Sequence, residues 1–278
     1  MTEILKVENL NVHFKRSSLL DLMRRKKLVT KAIDAVSFEV ERGSCIGLVG
    51  ESGCGKSTLS KAILRLIKPT SGSIFFENEN IQELKGASLF DYRRRVQMIF
   101  QDPLGSLNPR LTAGEVLEEV FYVHGIRKSA NRKILVHSLL DKVGLSRDVV
   151  DRRPGALSGG QCQRIGIARA LAVDPDLIIA DEAASALDVS IQAQILNLLR
   201  DLRHDMGLTM IFVSHDLGVV RYLCDDIIVM NRGQIVERGG IDQIFDKSTN
   251  PYTRSLVESM PLLHRQTINC SGCTRRCK

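Results

Sequence analysis

The chain is 278 residues long, 44% hydrophobic and 26% charged, with a formal net charge of +7. These values are ordinary for a globular protein of one or two domains. No apolar run approaches the ~18 residues of a membrane span, and the N-terminus lacks the apolar core of a secretory signal. A cytosolic protein, or one docked at the cytosolic face of a membrane, is therefore expected. With four Tyr and no Trp, a base-stacking nucleic-acid partner is not expected.

Residues 4–14 alternate apolar and polar side chains, which predicts a half-buried strand, and 35–40 reads as another. Between them Lys15, Arg16, Arg24, Arg25, Lys26 and Lys27 crowd one segment. That cluster is either a solvated basic loop or a contact for lipid headgroups or a membrane subunit. A short apolar strand at 45–49 leads into Gly50, Glu51, Ser52, Gly53, Cys54, Gly55, Lys56, Ser57 and Thr58. A helix is then predicted over 57–67, before Pro69 and Gly72. Further short apolar strands fall at 97–100, 177–180 and 209–213, and the last two carry polar or acidic residues at their C-terminal ends. They predict a mainly parallel sheet whose strand tips bear the chemistry. Between Asp102 and Gly155 a loop is followed by helical patterns at about 113–124 and 129–143, consistent with an inserted helical subdomain. A helical pattern at 161–172 follows Ser158, Gly159 and Gly160. Residues 227–237 read as a hairpin, 251–263 as a helix, and the chain from His264 is polar and basic.

The glycine-rich run has the context of a P-loop (Walker A): strand, loop, helix. There the backbone N–H groups of Gly50, Ser52, Gly53, Cys54 and Gly55 wrap phosphates. Lys56 supplies charge to them, Ser57 can ligate Mg²⁺, and Thr58 adds a further donor. Asp181 and Glu182 end an apolar strand. Such a pair alone is most often a helix cap. With a P-loop upstream it reads as a Walker B site, Asp181 holding the Mg²⁺ shell and Glu182 orienting water. Gln101, at the end of the 97–100 strand, is in place to reach Mg²⁺ or that water. Ser158 with two glycines before a helix is a second anion-attracting helix start. Two anion sites with one P-loop point to a nucleotide held between two subunits.

Leu157, Ser158, Gly159, Gly160 and Gln161 spell the LSGGQ signature, and the chain as a whole resembles the ATP-binding-cassette (ABC) ATPases. The resemblance implies an α/β P-loop NTPase core with an inserted helical subdomain (about 102–172) and an antiparallel β element, spanning 1–262. It implies that Ser158, Gly159, Gly160 and Gln161 serve the nucleotide of a partner subunit. Gln101 becomes the Q-loop, His215 the switch histidine contacting the γ-phosphate, and Asp188 the D-loop aspartate acting across a dimer interface. Phe14 lies where the family places an adenine-stacking aromatic, a core phenylalanine being the competing reading. The cofactors implied are ATP and Mg²⁺.

The segments 100–110 and 250–254 look like the oligopeptide/dipeptide/nickel branch of bacterial ABC importers, especially its second ATPase subunit. That branch implies a heterodimer with another ATPase, two transmembrane permease subunits and an extracytoplasmic substrate-binding protein. It places the chain peripherally on the cytoplasmic face of the inner membrane. Nickel or metal-chelate uptake is the alternative cargo, and a soluble non-transport ABC ATPase the rival class. Two departures stand out: Ala183 and Ala184 follow Glu182 where a Pro is usual, and Cys162 replaces a common Gln near the helix start. Neither removes a catalytic group. Cys45, Cys54, Cys162 and Cys224 read as reduced thiols. In the tail (263–278), Cys270, Cys273 and Cys277 resemble the cysteine-bearing ends of such importers and are candidate ligands for an iron–sulfur cluster or zinc. Three thiolates are one ligand short, so His264 or a partner would complete the set; the competing reading is a tail with incidental cysteines.

Overall fold

The computed structural model describes residues 2–16, 28–126, 132–185 and 187–260. Two sheets organise it. A four-stranded antiparallel sheet has the order β2–β1–β4–β5, built from β1 (Glu3–Arg16), β2 (Leu28–Glu41), β4 (Ser71–Phe76) and β5 (Glu79–Asn80). The second, six-stranded sheet contains β3 (Cys45–Val49), β6 (Val96–Ile99), β7 (Leu177–Asp181), β8 (Thr209–Ser214), β9 (Asp226–Asn231) and β10 (Gln234–Gly240). Its order is β10–β9–β3–β8–β7–β6. Only β10, the far arm of the predicted hairpin, runs antiparallel to its neighbour.

The central strands are apolar throughout because both of their faces are covered. On β3, Cys45 and Val49 face one core while Ile46 and Leu48 face the other; Met210 and Phe212 against Ile211 and Val213 repeat the pattern on β8. One core is closed by the antiparallel sheet and α1 (Lys56–Ile63), through Leu59, Ala62 and Ile63. The other is closed by α3 (Ala113–Val123), α4 (Arg132–Lys142), α5 (Gly159–Leu171), α6 (Val189–Met206) and α7 (Leu217–Leu223). α2 (Gly86–Arg95) precedes β6, and α8 (Ile241–Lys247) and α9 (Pro251–Glu258) follow β10.

The structure departs from the expected elements at a few points, each with a local cause. The helix expected to reach residue 67 stops at Ile63. Arg65 takes φ 54°, and the Leu66 N–H reaches back to Lys61 O at 2.8 Å, a helix-ending turn normally left to glycine. The Arg65 guanidinium holds that turn by donating to Leu84 O at 2.6 Å and Gln82 O at 3.3 Å. α5 begins two residues earlier than expected, because Ser158 and Gln161 form a reciprocal capping box. Cys162 is therefore the fourth helical residue rather than the second, and it is buried. Helices α2, α6, α7 and α8 were not anticipated. The helix expected over 251–263 is α9, which ends at Glu258.

Parallel strands in register bring their C-terminal tips to one edge. Val49 is level with Ser214 and Val229, Asp181 with Val213, and Ile99 with Ala180. The residues just past those tips, Gly50, Gln101, Glu182 and His215, are thereby neighbours although they are scattered through the chain.

Candidate functional site

The P-loop leaves β3 and turns into α1 at Gly55, the N-cap, whose φ is 113°. A Cβ there would sit 2.5 Å from Ala32 O, so both backbone angle and space require glycine. Lys56, 6% exposed, donates from Nζ to Gly50 O at 2.6 Å and Glu51 O at 2.9 Å. Nζ also lies 3.7 Å from Cys54 Sγ, a weak acceptor that a phosphate oxygen would displace. Ser57 Oγ lies 3.5 Å from Asp181 Oδ1, a pair of hard oxygen donors from two elements. Burial pushes the Asp181 carboxyl above its ordinary value; the Ser57 hydroxyl opposes this, and the neighbouring Glu182 charge adds to it.

Glu182 is the hub of the strand-tip cluster. Its Oε2 accepts from Gln101 Nε2 at 2.7 Å and from Ser185 Oγ at 3.3 Å, and its Oε1 lies 3.2 Å from His215 Nδ1. The Glu182 side chain is 19% exposed while His215 is 58% exposed, so the carboxylate is sheltered behind an accessible imidazole. Its backbone sits at φ 46°, unfavourable for a non-glycine residue, and the Glu182 N–H is clipped to Val213 O at 2.9 Å. A small polar cavity of about 110 Å³ adjoins Glu182, Ser185, Gln192, Ser214, His215 and Asp216. It has room for a few water molecules beside the carboxylate. The bond of Ser185, three residues before the D-loop Asp188, to Glu182 was missed by sequence reasoning.

The signature residues lie elsewhere on the molecule. Ser158 Oγ accepts from Gln161 N at 3.2 Å and Ser158 N donates to Gln161 Oε1 at 2.9 Å. The serine hydroxyl acts as the cap acceptor and keeps its own proton to donate. Gly160 faces α6: a Cβ on it would lie 2.6 Å from Ile191 Cγ2. Gly159 similarly faces Leu187 at 3.3 Å. The two glycines therefore seat the signature helix against the D-loop segment, a packing role beside any phosphate role. Asp188 is the N-cap of α6 without a side-chain cap bond. Among the described residues no hydrogen bond joins Ser158, Gly159, Gly160, Gln161 or Asp188 to the P-loop cluster. α5 instead grips the far side of Gln101's segment. Gln163 Nε2 donates to Phe100 O at 3.4 Å, Arg169 Nη1 donates to Ser106 O at 2.6 Å, and the guanidinium lies over the Phe100 ring at 5.6 Å. Beside these contacts opens a cleft of about 880 Å³, lined in part by Leu66, Phe100, Gln101, Asp102 and Val123.

Phe14 is 44% exposed on β1, which rules out the core reading of its ring. Cys45, Cys54, Cys162 and Cys224 are buried free thiols. Cys270, Cys273 and Cys277, His264, and most of the basic cluster lie outside the described residues. Among the described residues, no group of three or more His, Cys, Asp or Glu is arranged to hold a metal.

Residues 33–185 match the ABC transporter family, more than half of the chain. The chain belongs to the ABC transporter ATPases. Across 272 residues it is 48% identical to the oligopeptide transport ATP-binding protein OppF of Streptococcus mutans, covering 96% of this chain and 86% of that protein. OppF of Bacillus subtilis is 45% identical over 265 residues, covering 94% and 84%. Among solved structures, the dimeric ATP-binding cassette MJ0796 in a post-hydrolysis state with ADP and Pi superposes with a TM-score of 0.75. It is 30% identical and covers 86% of this chain and 99% of that one. The cassette cbiO1 of Clostridium perfringens, part of the transporter complex cbiONQ, gives a TM-score of 0.74 at 26% identity, covering 95% and 98%. This ABC ATPase has the expected α/β P-loop core, and its named motifs stand on the elements where the sequence placed them. Among the described residues no helix is long and apolar enough to cross a membrane.

Proposed function

We propose that this chain is the ATP-hydrolysing subunit of a bacterial importer of oligopeptides or dipeptides, bound at the cytoplasmic face of the inner membrane. The observation that carries the reading is near-full-length similarity to OppF proteins, joined to an uninterrupted set of catalytic groups around Glu182. Residues 1–262 form the ABC ATPase unit, with 102–172 as its helical subdomain and 263–278 as a tail. ATP binds with its phosphates in the Gly50–Thr58 loop, Lys56 on the β- and γ-phosphates and the Phe14 ring beside the base. The hard oxygens of Ser57 and Asp181 would hold Mg²⁺, with Gln101, whose amide bonds Glu182, as a further candidate donor. The ion supplies charge neutralisation at the transferring phosphoryl group.

The chain's own residues do the rest. Glu182 accepts hydrogen bonds from Gln101 and Ser185, leaving it oriented to take a proton from water. His215, exposed at the tip of β8, reaches toward the γ-phosphate and reports its presence. Ser158, Gly159, Gly160 and Gln161, which make no hydrogen bond to the P-loop among the described residues, serve the nucleotide bound by a second ATPase subunit, with Asp188 at the same interface. Closure of that pair is transmitted through the cleft beside Gln101 to two permease subunits, which receive cargo from an extracytoplasmic binding protein.

Uptake by proteoliposomes tests the proposal. They would hold this chain, the permeases and ATPase encoded beside it, and the neighbouring binding protein. ATP-dependent accumulation of labelled di- or oligopeptides is expected. Accumulation of nickel or a nickel chelate in place of peptides would transfer the chain to the metal branch. ATP turnover without dependence on any permease would refute a transport role.

A further inference from the structure

The segment Asn250, Pro251, Tyr252, Thr253 and Arg254 was conspicuous in the sequence yet has no part in the site described above. In the structure it carries a tyrosine into the P-loop. Tyr252 Oη accepts a hydrogen bond from the backbone N–H of Glu51 at 3.1 Å, a contact between residues 201 apart in sequence.

The tyrosine is held firmly from below. Asn250 caps α9, its Oδ1 accepting from Tyr252 N at 2.9 Å, and Pro251 occupies the first helical position, where its missing N–H costs nothing. Asn250 Nδ2 donates to Val236 O on β10 at 3.3 Å. Next to Val236, Glu237 accepts from Ser248 Oγ at 2.6 Å and from Thr249 N at 2.9 Å. Arg254 ties back to Thr249 O at 3.2 Å. The β9–β10 turn touches the same loop independently, Gly233 N donating to Cys54 O at 2.8 Å. The C-terminal third of the chain thus braces the back of the P-loop at two points.

The Glu51 N–H belongs to the same peptide unit as the Gly50 carbonyl, and that carbonyl accepts from Lys56 Nζ at 2.6 Å. One amide is therefore held at both ends, by the Tyr252 hydroxyl and by the Lys56 ammonium. Rotating the amide would swing its carbonyl away from Lys56, and an amide that donates is also a better acceptor. We propose that Tyr252 is a positioning residue for ATP binding, its hydroxyl fixing the Gly50–Glu51 peptide that in turn aims Lys56 at the phosphates. Acting through the Gly50–Glu51 peptide, Tyr252 contributes to nucleotide affinity rather than to the chemical step. By reciprocity, bound ATP strengthens the docking of α9 on the P-loop.

The proposal rests on the reading of Gly50–Thr58 as the ATP site, and the test separates the two. Tyr252→Phe keeps the ring and its packing while removing the hydroxyl. Equilibrium binding of ATP to the full chain and steady-state kinetics of the assembled transporter are measured together. One neutral hydrogen bond corresponds to a loss of roughly fivefold. The expected result is therefore a roughly fivefold rise in ATP Kd and KM, with kcat changed by less than about twofold. The melting temperature without nucleotide falls by no more than one hydrogen bond allows, about 2–4 °C, and the ATP-induced rise shrinks in addition. An unchanged Kd and KM overturns the proposal, as does a lowered nucleotide-free melting temperature with unchanged affinity. Lys56→Ala is the control. If it abolishes ATP binding while Tyr252→Phe has no effect, only the role of Tyr252 fails. If Lys56→Ala still binds ATP normally, the site reading fails and the proposal with it.

Discussion

Two glycines of α5 are expected to respond in opposite directions to the same substitution. Gly166 lies in the helix interior and is buried, yet a Cβ built on it meets nothing within 4 Å. Gly166→Ala therefore gains helix propensity without a clash, a stabilisation of about 1 kcal/mol. Gly160 lies in the first turn, where a Cβ would come 2.6 Å from Ile191 Cγ2. Overpacking of that kind costs about 1–3 kcal/mol, and the small propensity gain leaves Gly160→Ala destabilised by about 1–2 kcal/mol. At roughly 2–4 °C per kcal/mol for a chain of this size, Tm rises by about 2–4 °C for Gly166→Ala and falls by about 2–8 °C for Gly160→Ala. Calorimetry of the nucleotide-free proteins measures both. Adding Ile191→Ala to Gly160→Ala removes the clashing methyl, so the double variant loses less than the sum of the single losses. Shifts of the same sign for the two glycines, or strict additivity with Ile191→Ala, would refute the packing argument for the signature glycines.

Other consequences concern the charges and contacts that join the layers. Asp176 bridges Arg95 at 2.6 Å and Arg42 at 2.8 Å. Burial raises its pKa, but the bonds from Arg95 and Arg42 outweigh that and leave it below the ordinary 3.8. Such a group stabilises the fold at pH values above its unfolded pKa and loses that contribution as pH falls through the folded one. Asp176→Asn should cost about 1–3 kcal/mol at neutral pH in urea unfolding, with the gap to wild type narrowing below about pH 3.8; a gap independent of pH would contradict the ionic account. Arg169→Ala removes the bond to Ser106 O and the stacking on Phe100, a loss of about 2 kcal/mol. Arg169→Lys, which keeps charge but not the planar fork, should recover less than half of it in the same unfolding assay.

Motifs confined to one stretch of chain were legible before the fold was seen. The strand, glycine loop and helix around Lys56 occur where the sequence placed them, because their chemistry is local. The buried strands read correctly as apolar runs, since a strand covered on both faces loses its alternation. α6 escaped although Ile195, Leu196, Leu199 and Leu202 form a helical stripe. α2 offered almost nothing to read, because Tyr92 is its one buried side chain. The early end of α1 depended on Arg65 taking a left-handed conformation that the distant Leu84 and Gln82 carbonyls hold in place. The contact of Tyr252 with Glu51, 201 residues apart, was hidden for the same reason. The tether from Ser185 to Glu182 is local, three residues long, but rests on a side-chain orientation that a linear reading does not give. Phe14 shows the opposite case, where local sequence left two readings open and exposure closed one of them.

The central claim is that Glu182, held by Gln101 and Ser185 beside His215, activates the attacking water at an ATP site built on Lys56. Glu182→Gln tests it most directly, in the complex with its partner ATPase and permeases. The variant retains a side chain of the same shape while removing the carboxylate that takes the proton. The account predicts that steady ATP hydrolysis falls by about 10²–10⁴-fold, while ATP affinity stays within a fewfold of wild type. Hydrolysis persisting near the wild-type rate, or ATP affinity collapsing together with turnover, would contradict it.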